Sequence, residues 1–267
     1  MTIKLPRGAI PTPRSELAAS EPYLPEQCAE IFVPSGNFPS PNQELAVAHP
    51  YNVYGTAPES FIIWPIAPPS WINDKTNGSF WAEEAFAKAC AYPQVFIPSD
   101  IILSTLQKCG SSNFAAFMQK HGFQIDGKAY LDGDFNSVDW ANAATLNFAI
   151  ANVGPVKIGI ALANFASVSQ SRITPETSGW ATYGLPAGQS ENHCASLCGY
   201  GHLTALIDLF ALHGIRVNLP SGMPAGLCYA MFTGGSIGII DWQSLMNITG
   251  EAWVRNPTTI VQNVDNL

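Results

Sequence analysis

The spacing of apolar residues changes from helical to strand-like about halfway along the chain. From Ser79 onward, apolar side chains recur at intervals of three and four residues, a pattern that predicts helices. Four such segments come before Pro155: "SFWAEEAFAKAC", "PSDIILSTLQKCG", "FAAFMQKHG" and "NSVDWANAATLNFAIANVG". The last three end on a glycine, which is a common helix stop.

Beyond Pro155 the apolar runs have the length of strands and are separated by glycine and proline. The runs are "PVKIGIAL", "HCASLCGYG", "GLCYAMFTGG", "SIGIIDW" and "EAWVRN", with one helical segment, "LTALIDLFALHG", between them. Helices followed by antiparallel strands are typical of an α+β domain. We therefore expect an α+β fold with a helical half packed on a mainly antiparallel β-sheet or barrel.

Proline is concentrated before residue 70, in stretches such as "PRGAIPTPR" and "WPIAPPSW". Proline cannot sustain long helices or central strands, so an extended segment is predicted here. The segment also holds apolar residues that a free linker would not need. We predict that residues 1–70 form an N-terminal arm docked on a domain of residues 71–267. The helical part of that domain is predicted at 71–153 and the sheet part at 154–267.

Charge and composition disfavour several classes of partner. The chain has 267 residues, 47% of them hydrophobic and 12% charged, with a formal net charge of -8. Because no basic surface is expected, neither nucleic acid nor an anionic membrane is a predicted partner. No apolar stretch has the length of a signal-peptide core or a membrane span, so a cytoplasmic location is expected. Nucleotide and dinucleotide motifs are missing, and no cofactor is predicted.

The segment "HCASLCGYGH" raises the question of a metal site. It brings four metal-ligating residue types together in sequence: His193, Cys194, Cys198 and His202. In a strand, successive side chains point to opposite faces, so His193 would point away from Cys194 and Cys198. Two buried thiols in a sheet are therefore favoured, and no metal is predicted.

Ser79 and His193 are the remaining candidates for chemistry. Ser79 opens a predicted helix, where a serine hydroxyl commonly satisfies the unpaired N–H groups of the first turn. The same N–H groups would stabilise an anion, and an imidazole nearby would make Ser79 a nucleophile for acyl transfer. Spacing alone leaves both interpretations open, because a histidine at the start of a strand is more often structural.

The order of these parts resembles that of papain-like cysteine peptidases. A nucleophile position opens a buried helix, "GPVKIGI" follows as a strand, and "ENHCASLCGYG" is similar to the strand that carries the histidine of the family. The start of the helix also resembles the "NDxxGDC" segment of uncharacterised bacterial and phage papain-like proteins. The similarity spans residues 71–253.

The resemblance implies roles for four residues. Ser79 stands at the nucleophile position in place of cysteine, and His193 is the base. Asn73, six positions earlier, matches the side-chain amide of the oxyanion hole. The residue that orients the histidine should follow "LCYAMF"; Thr233, Ser236 and Asp241 are available there, and Asp241 is the predicted choice.

Two functional hypotheses follow. In the first, the chain is a hydrolase that cleaves a peptide or other acyl bond. In the second, it is a catalytically silent papain-like protein that serves as a binding or structural subunit for a protein partner, for example as a phage- or prophage-encoded protein, with a cytoplasmic or virion-associated location. Glu83 and Glu84 are expected on the helix surface, where they would offset the helix dipole. The sequence leaves the oligomeric state open.

Overall fold

The computed structural model describes residues 45–46, 57–65, 79–92, 94–109, 114–161, 178–187, 193–233 and 235–264. The helices in these ranges are α1 (Ser79–Cys90), α2 (Ser99–Cys109), α3 (Phe114–Lys120), α4 (Ala143–Asn152), α5 (Leu203–Leu212) and α6 (Trp242–Ile248). None of these helices has the length and apolar character needed to cross a membrane.

The strands of the described ranges belong to two sheets. They are β1 (Leu45–Ala46), β2 (Phe61–Ile62), β3 (Phe123–Ile125), β4 (Lys128–Leu131), β5 (Asp134–Ser137), β6 (Val156–Ile160), β7 (Ser178–Thr182), β8 (His193–His202), β9 (Arg216–Asn218), β10 (Leu227–Thr233), β11 (Ser236–Asp241), β12 (Thr249–Asn256) and β13 (Ile260–Asn263). The small sheet has the order β1-β13-β4-β3.

The main sheet carries most of the second half of the chain. Its order is β5-β12-β6-β8-β10-β11-β7-β9, and β2 pairs with β8 beside this path. All its pairs are antiparallel except those of β7 with β11 and with β9. The predicted α+β fold is confirmed. As far as the described strands extend, β5 and β9 are open edges, so they form a sheet rather than a closed barrel.

Helix α1 is buried on every side from its third residue onward. Every residue from Trp81 to Cys90 is buried, and α1 contacts both β8 and β10. The ring of Phe86 stacks on Phe232 of β10 with 4.2 Å between centroids. Alanines at one in three positions of α1 let its backbone approach the sheet closely, as a helix without a solvent face requires.

Helix α1 runs alongside β8 in the same direction. Glu83, in the first half of α1, lies beside Ser196, and Cys90, at its end, lies near Cys198. The first residue of the helix and the first residue of the strand are therefore at the same end of the pair.

Part of the fourth predicted helix is wrong. Residues 134–137 form strand β5, and α4 begins only after Asn142, whose side chain accepts hydrogen bonds from the N–H groups of Ala144 and Thr145. An asparagine cap satisfies two otherwise unpaired donors and so fixes the helix start. The residues before it are free to pair with β12.

Residues 61–63, which belong to the predicted N-terminal arm, lie against β8. Phe61 and Ile62 pair with Tyr200 and Gly199, and the N–H of Ile63 donates to the carbonyl oxygen of Cys198 at 2.7 Å. A Cβ atom at Gly199 would lie 2.7 Å from the carbonyl oxygen of Phe61, so the arm can pair there only because residue 199 has no side chain. Most of the predicted arm lies outside the described residues, and the proposed domain boundaries stay a prediction.

Candidate active site

His193 begins β8 and contacts the end of β10. Its Nε2 atom lies 2.8 Å from Oγ1 of Thr233, and the histidine is 7% exposed. Thr233 is the residue that directly follows "LCYAMF", where the resemblance requires a group that orients the imidazole. The structure therefore brings together His193 and Thr233, one of the three residues considered for that role.

Asp241 is not brought to His193. Its side chain caps α6, where Oδ2 accepts a hydrogen bond from the N–H of Ser244 at 3.1 Å. Asp241 pairs with Cys228, whereas Thr233 pairs with Ser236 at the other end of the β10–β11 hairpin. Five residues along a strand separate the two ends by about 17 Å. The carboxylate chosen from sequence thus serves a helix, and a hydroxyl contacts the histidine.

Ser79 is the first residue of α1 and is partly buried. It lies at the same end of the α1–β8 pair as His193, whose Nε2 atom contacts Thr233. Asn73, the predicted oxyanion-hole amide, lies outside the described residues.

The sheet directs His193 and Thr233 to one face and Phe232 to the other. Phe232 stacks on Phe86, so its face of the sheet is the one that α1 covers. Because side chains alternate along a strand, Thr233 points to the opposite face, and His193 contacts it there. Any contact between His193 and the start of α1 must therefore pass around the end of the strands.

A buried cluster of ionisable side chains lies on the α1 face of the sheet. We call it the buried ion cluster; its members are Glu83, Glu84, Lys88, Asp132, Lys157 and Arg255. Glu84 is at its centre. Its Oε2 accepts from Nε of Arg255 at 2.8 Å and its Oε1 from Nη2 of Arg255 at 2.7 Å, a two-point contact that suits the planar guanidinium. Lys157 also donates to Oε1, at 3.2 Å.

The second half of the cluster is centred on Lys88. Its Nζ donates to the carboxylate of Asp132, to the carbonyl oxygen of Leu131 at 2.7 Å and to that of Thr258 at 2.6 Å. Three acceptors match the three donors of an ammonium group. Arg255 lies 3.9 Å from the second oxygen of Asp132 and so joins the two halves.

The pKa values of the acids in the cluster are shifted in opposite directions. Burial alone would raise the pKa of Glu84, but Arg255 and Lys157 overcome it and hold the value at about 2. Burial raises the pKa of Asp132 to about 6, with Glu84 adding to the rise and Lys88 opposing it. Burial raises the pKa of Glu83 well above its usual value, because Ser196 and the nearby cations compensate only in part.

Glu83 and Glu84 do not lie on a solvated surface, so that prediction is wrong. Both are buried because α1 has no solvent face. Their partners, Lys157 in "PVKIGIAL" and Arg255 in "EAWVRN", were missed. A single cation inside an apolar strand run was the available signal, since a buried charge requires a partner of opposite sign.

The thiols of β8 lie beneath α1 and are not activated. Burial raises the pKa of Cys194 to about 12 and also raises that of Cys198. Both are buried, as expected for structural cysteines. Over the described residues, no three side chains of His, Cys, Asp or Glu are arranged to hold a metal ion.

Comparisons with known proteins give distant structural similarities. No family model matches the chain, and no curated protein matches its sequence. One similar solved structure comes from work on the limited antibody cross-reactivity between the mite allergens Blo t 1 and Der p 1. It has a TM-score of 0.42 and 12% sequence identity, over 93% of this chain and 84% of that chain. Another is the digestive procathepsin L 3 of the Tenebrio molitor larval midgut, with a TM-score of 0.37 and 15% identity, over 83% of this chain and 75% of that chain. The site is therefore interpreted from its own residues.

Proposed function

We propose that the chain is a papain-like hydrolase in which Ser79 is the nucleophile and His193 the base, acting on a peptide or other acyl bond. The observation that carries the proposal is the contact between His193 and Thr233. It supplies an orienting group at the position after "LCYAMF" where the resemblance calls for one, and the start of α1 lies at the same end of β8.

The contact defines how the imidazole would work. Thr233 Oγ1 accepts a hydrogen bond from Nε2–H in the required tautomer, so the lone pair is on Nδ1, the nitrogen directed away from Thr233. Nδ1 would then remove the proton of Ser79 as the hydroxyl attacks the acyl carbon. The first-turn N–H groups of α1, with the proposed amide of Asn73, would stabilise the oxyanion.

Labelling with a fluorophosphonate tests this proposal. The probe should modify Ser79 in the wild-type chain, with the site identified by mass spectrometry of the labelled peptide. Ser79→Ala should abolish the labelling and His193→Ala should slow it strongly. Ser104→Ala, which removes a hydroxyl from the next helix, should label like the wild type. Labelling that survives in Ser79→Ala would refute Ser79 as the nucleophile.

A second candidate function is a catalytically silent binding protein, cytoplasmic or virion-associated, with a protein partner and no nucleic acid. The specific observation in its favour is the placement of His193 and Thr233 on the face of the sheet that α1 does not cover. A neutral hydroxyl also stabilises an imidazolium less than a carboxylate would. Absence of labelling in both the wild type and a Ser79→Cys variant treated with iodoacetamide would favour this function.

A further inference from the structure

The buried ion cluster holds more positive than negative charge. Lys88, Lys157 and Arg255 contribute three cations, against the two carboxylates of Glu84 and Asp132 that they contact. The sixth member, Glu83, has no hydrogen-bond partner at Oε2 and is 1% exposed. Burial raises the pKa of Glu83 because Ser196, Lys157 and Arg255 compensate the lost hydration only in part, and this favours the neutral acid.

Lys157 is the cation with the weakest compensation. Lys88 has the carboxylate of Asp132 and two carbonyl oxygens, and Arg255 holds both oxygens of Glu84. Within the described ranges, the carboxylate that Lys157 contacts is that of Glu84, at 3.2 Å from an oxygen that Arg255 already takes at 2.7 Å. The excess charge of the cluster is therefore concentrated on Nζ of Lys157.

Lys157 lies against the first turn of α1. Its Nζ contacts the ring of Phe80, the residue directly after Ser79, and lies 5.1 Å from the ring centroid of Phe114. The side chain of Lys157 is 6% exposed, so water screens its charge poorly. The N-terminal end of the helix dipole lies in the same place and has the same sign.

We infer that Lys157 is a positioning residue that stabilises negative charge on the side chain at position 79. The inference rests on the proposed function, because it assigns the excess charge to the nucleophile of that site. During acyl transfer, Lys157 would favour the developing alkoxide of Ser79 and the oxyanion beside it without contacting either. The aromatic rings of Phe80 and Phe114 keep the ammonium group in place by cation–π contact.

The test uses a thiol at position 79 as the probe of charge. In Ser79→Cys, the rate of iodoacetamide alkylation at position 79 is measured between pH 5 and pH 10 by mass spectrometry of the peptide. Its midpoint reports the pKa of the introduced thiol. Adding Lys157→Met should raise that midpoint by about one pH unit, because one nearby cation is lost. Adding Lys157→Arg, which keeps the charge, should restore it.

Lys88→Met is the matched control. It removes a lysine of the same cluster, but nine residues farther along α1, about 14 Å away along the helix axis. The midpoint should stay where Ser79→Cys has it. Other groups that face Lys157 are Glu84 and Glu83 from α1, Cys194 from β8 and Arg255 from β12, and all are retained in each variant.

Either of two results would overturn the inference. One is an unchanged midpoint in Lys157→Met, and the other is an equal shift in Lys88→Met, which would indicate a general loosening of the helix. Circular dichroism confirms folding first, and Lys157→Gln replaces the methionine variant if that one is unfolded. Failure of the proposed function is recognised separately, as absence of fluorophosphonate labelling in the wild type.

Discussion

Replacing Glu83 by glutamine keeps the size of a buried side chain and removes its proton equilibrium. Glu83 lies in α1 beside Ser196, and its Oε2 has no hydrogen-bond partner. Burial raises its pKa well above the usual 4.5. The folded protein therefore keeps this proton at pH values above 4.5 at which the unfolded chain has already released it.

The sign of the effect on stability follows from this difference. An acid whose pKa is raised by folding stabilises the folded state fully at pH values below its unfolded pKa of 4.5. This stabilisation is lost as the pH rises from 4.5 towards the folded pKa. Each pH unit in that window lowers the free energy of unfolding by about 1.4 kcal/mol. Between pH 5 and pH 7 the wild type should therefore lose stability through Glu83, at a rate of up to about 1.4 kcal/mol per pH unit.

Urea unfolding at pH 5, 6 and 7 measures this loss. Glutamine does not titrate, so the free energy of unfolding of Glu83→Gln minus that of the wild type should increase from pH 5 to pH 7, by up to about 1.4 kcal/mol per pH unit. Asp132 and the other acids titrate in both proteins and cancel in the difference. Glu59→Gln, at an exposed glutamate, is the control for the loss of one carboxylate at the surface. If the difference for Glu83→Gln does not change with pH, Glu83 is ionised in the folded protein. The inference that the buried ion cluster holds an excess of positive charge would then be wrong.

Three further predictions concern the cluster, the sheet and the site. Glu84→Gln should lower the free energy of unfolding in urea by about 3–5 kcal/mol, because it leaves a buried guanidinium without its carboxylate; a loss below 1 kcal/mol would contradict that pairing. Gly238→Ala should lower the melting temperature, because its Cβ would lie 2.0 Å from the ring of Trp180, whereas an unchanged value would show that the ring can move aside. Thr233→Val should slow fluorophosphonate labelling about tenfold, whereas Thr233→Ser should label like the wild type, because the hydroxyl is the group that orients His193. Equal labelling rates in the two variants would show that Thr233 has no role in the site.

Much of the fold could be predicted because its core elements have strong local patterns. The first helix from Ser79, the strand from Val156 and the long strand from His193 are all confirmed. The β3–β4 hairpin was missed although its turn is visible in the sequence. Asp126 and Gly127 both have positive φ, of 50° and 73°, which matches the Asp-Gly preference of tight hairpin turns.

The site was less predictable because its contacts depend on strand register. That register places Thr233 beside His193 and puts Asp241 at the far end of the hairpin, and no local pattern distinguishes these two candidates. Burial of the glutamates was also hidden, since a helix with polar residues usually has a solvent face. Only the packing of α1 on every side shows that Glu84 is buried and needs a cationic partner. That partner, Arg255, is far from it in sequence.

The pairing of Glu84 with Arg255 also constrains the order in which the chain can fold during synthesis. The two residues are 171 positions apart, so α1 leaves the ribosome long before the strand that neutralises it. At a synthesis rate of about 5–20 residues per second, Arg255 is made on the order of ten seconds or more after Glu84. Until then α1 carries an acid that cannot be buried ionised, and the helical half cannot close its core. Folding of this protein is thus expected to be late and concerted, with the twelfth strand as the element that permits it.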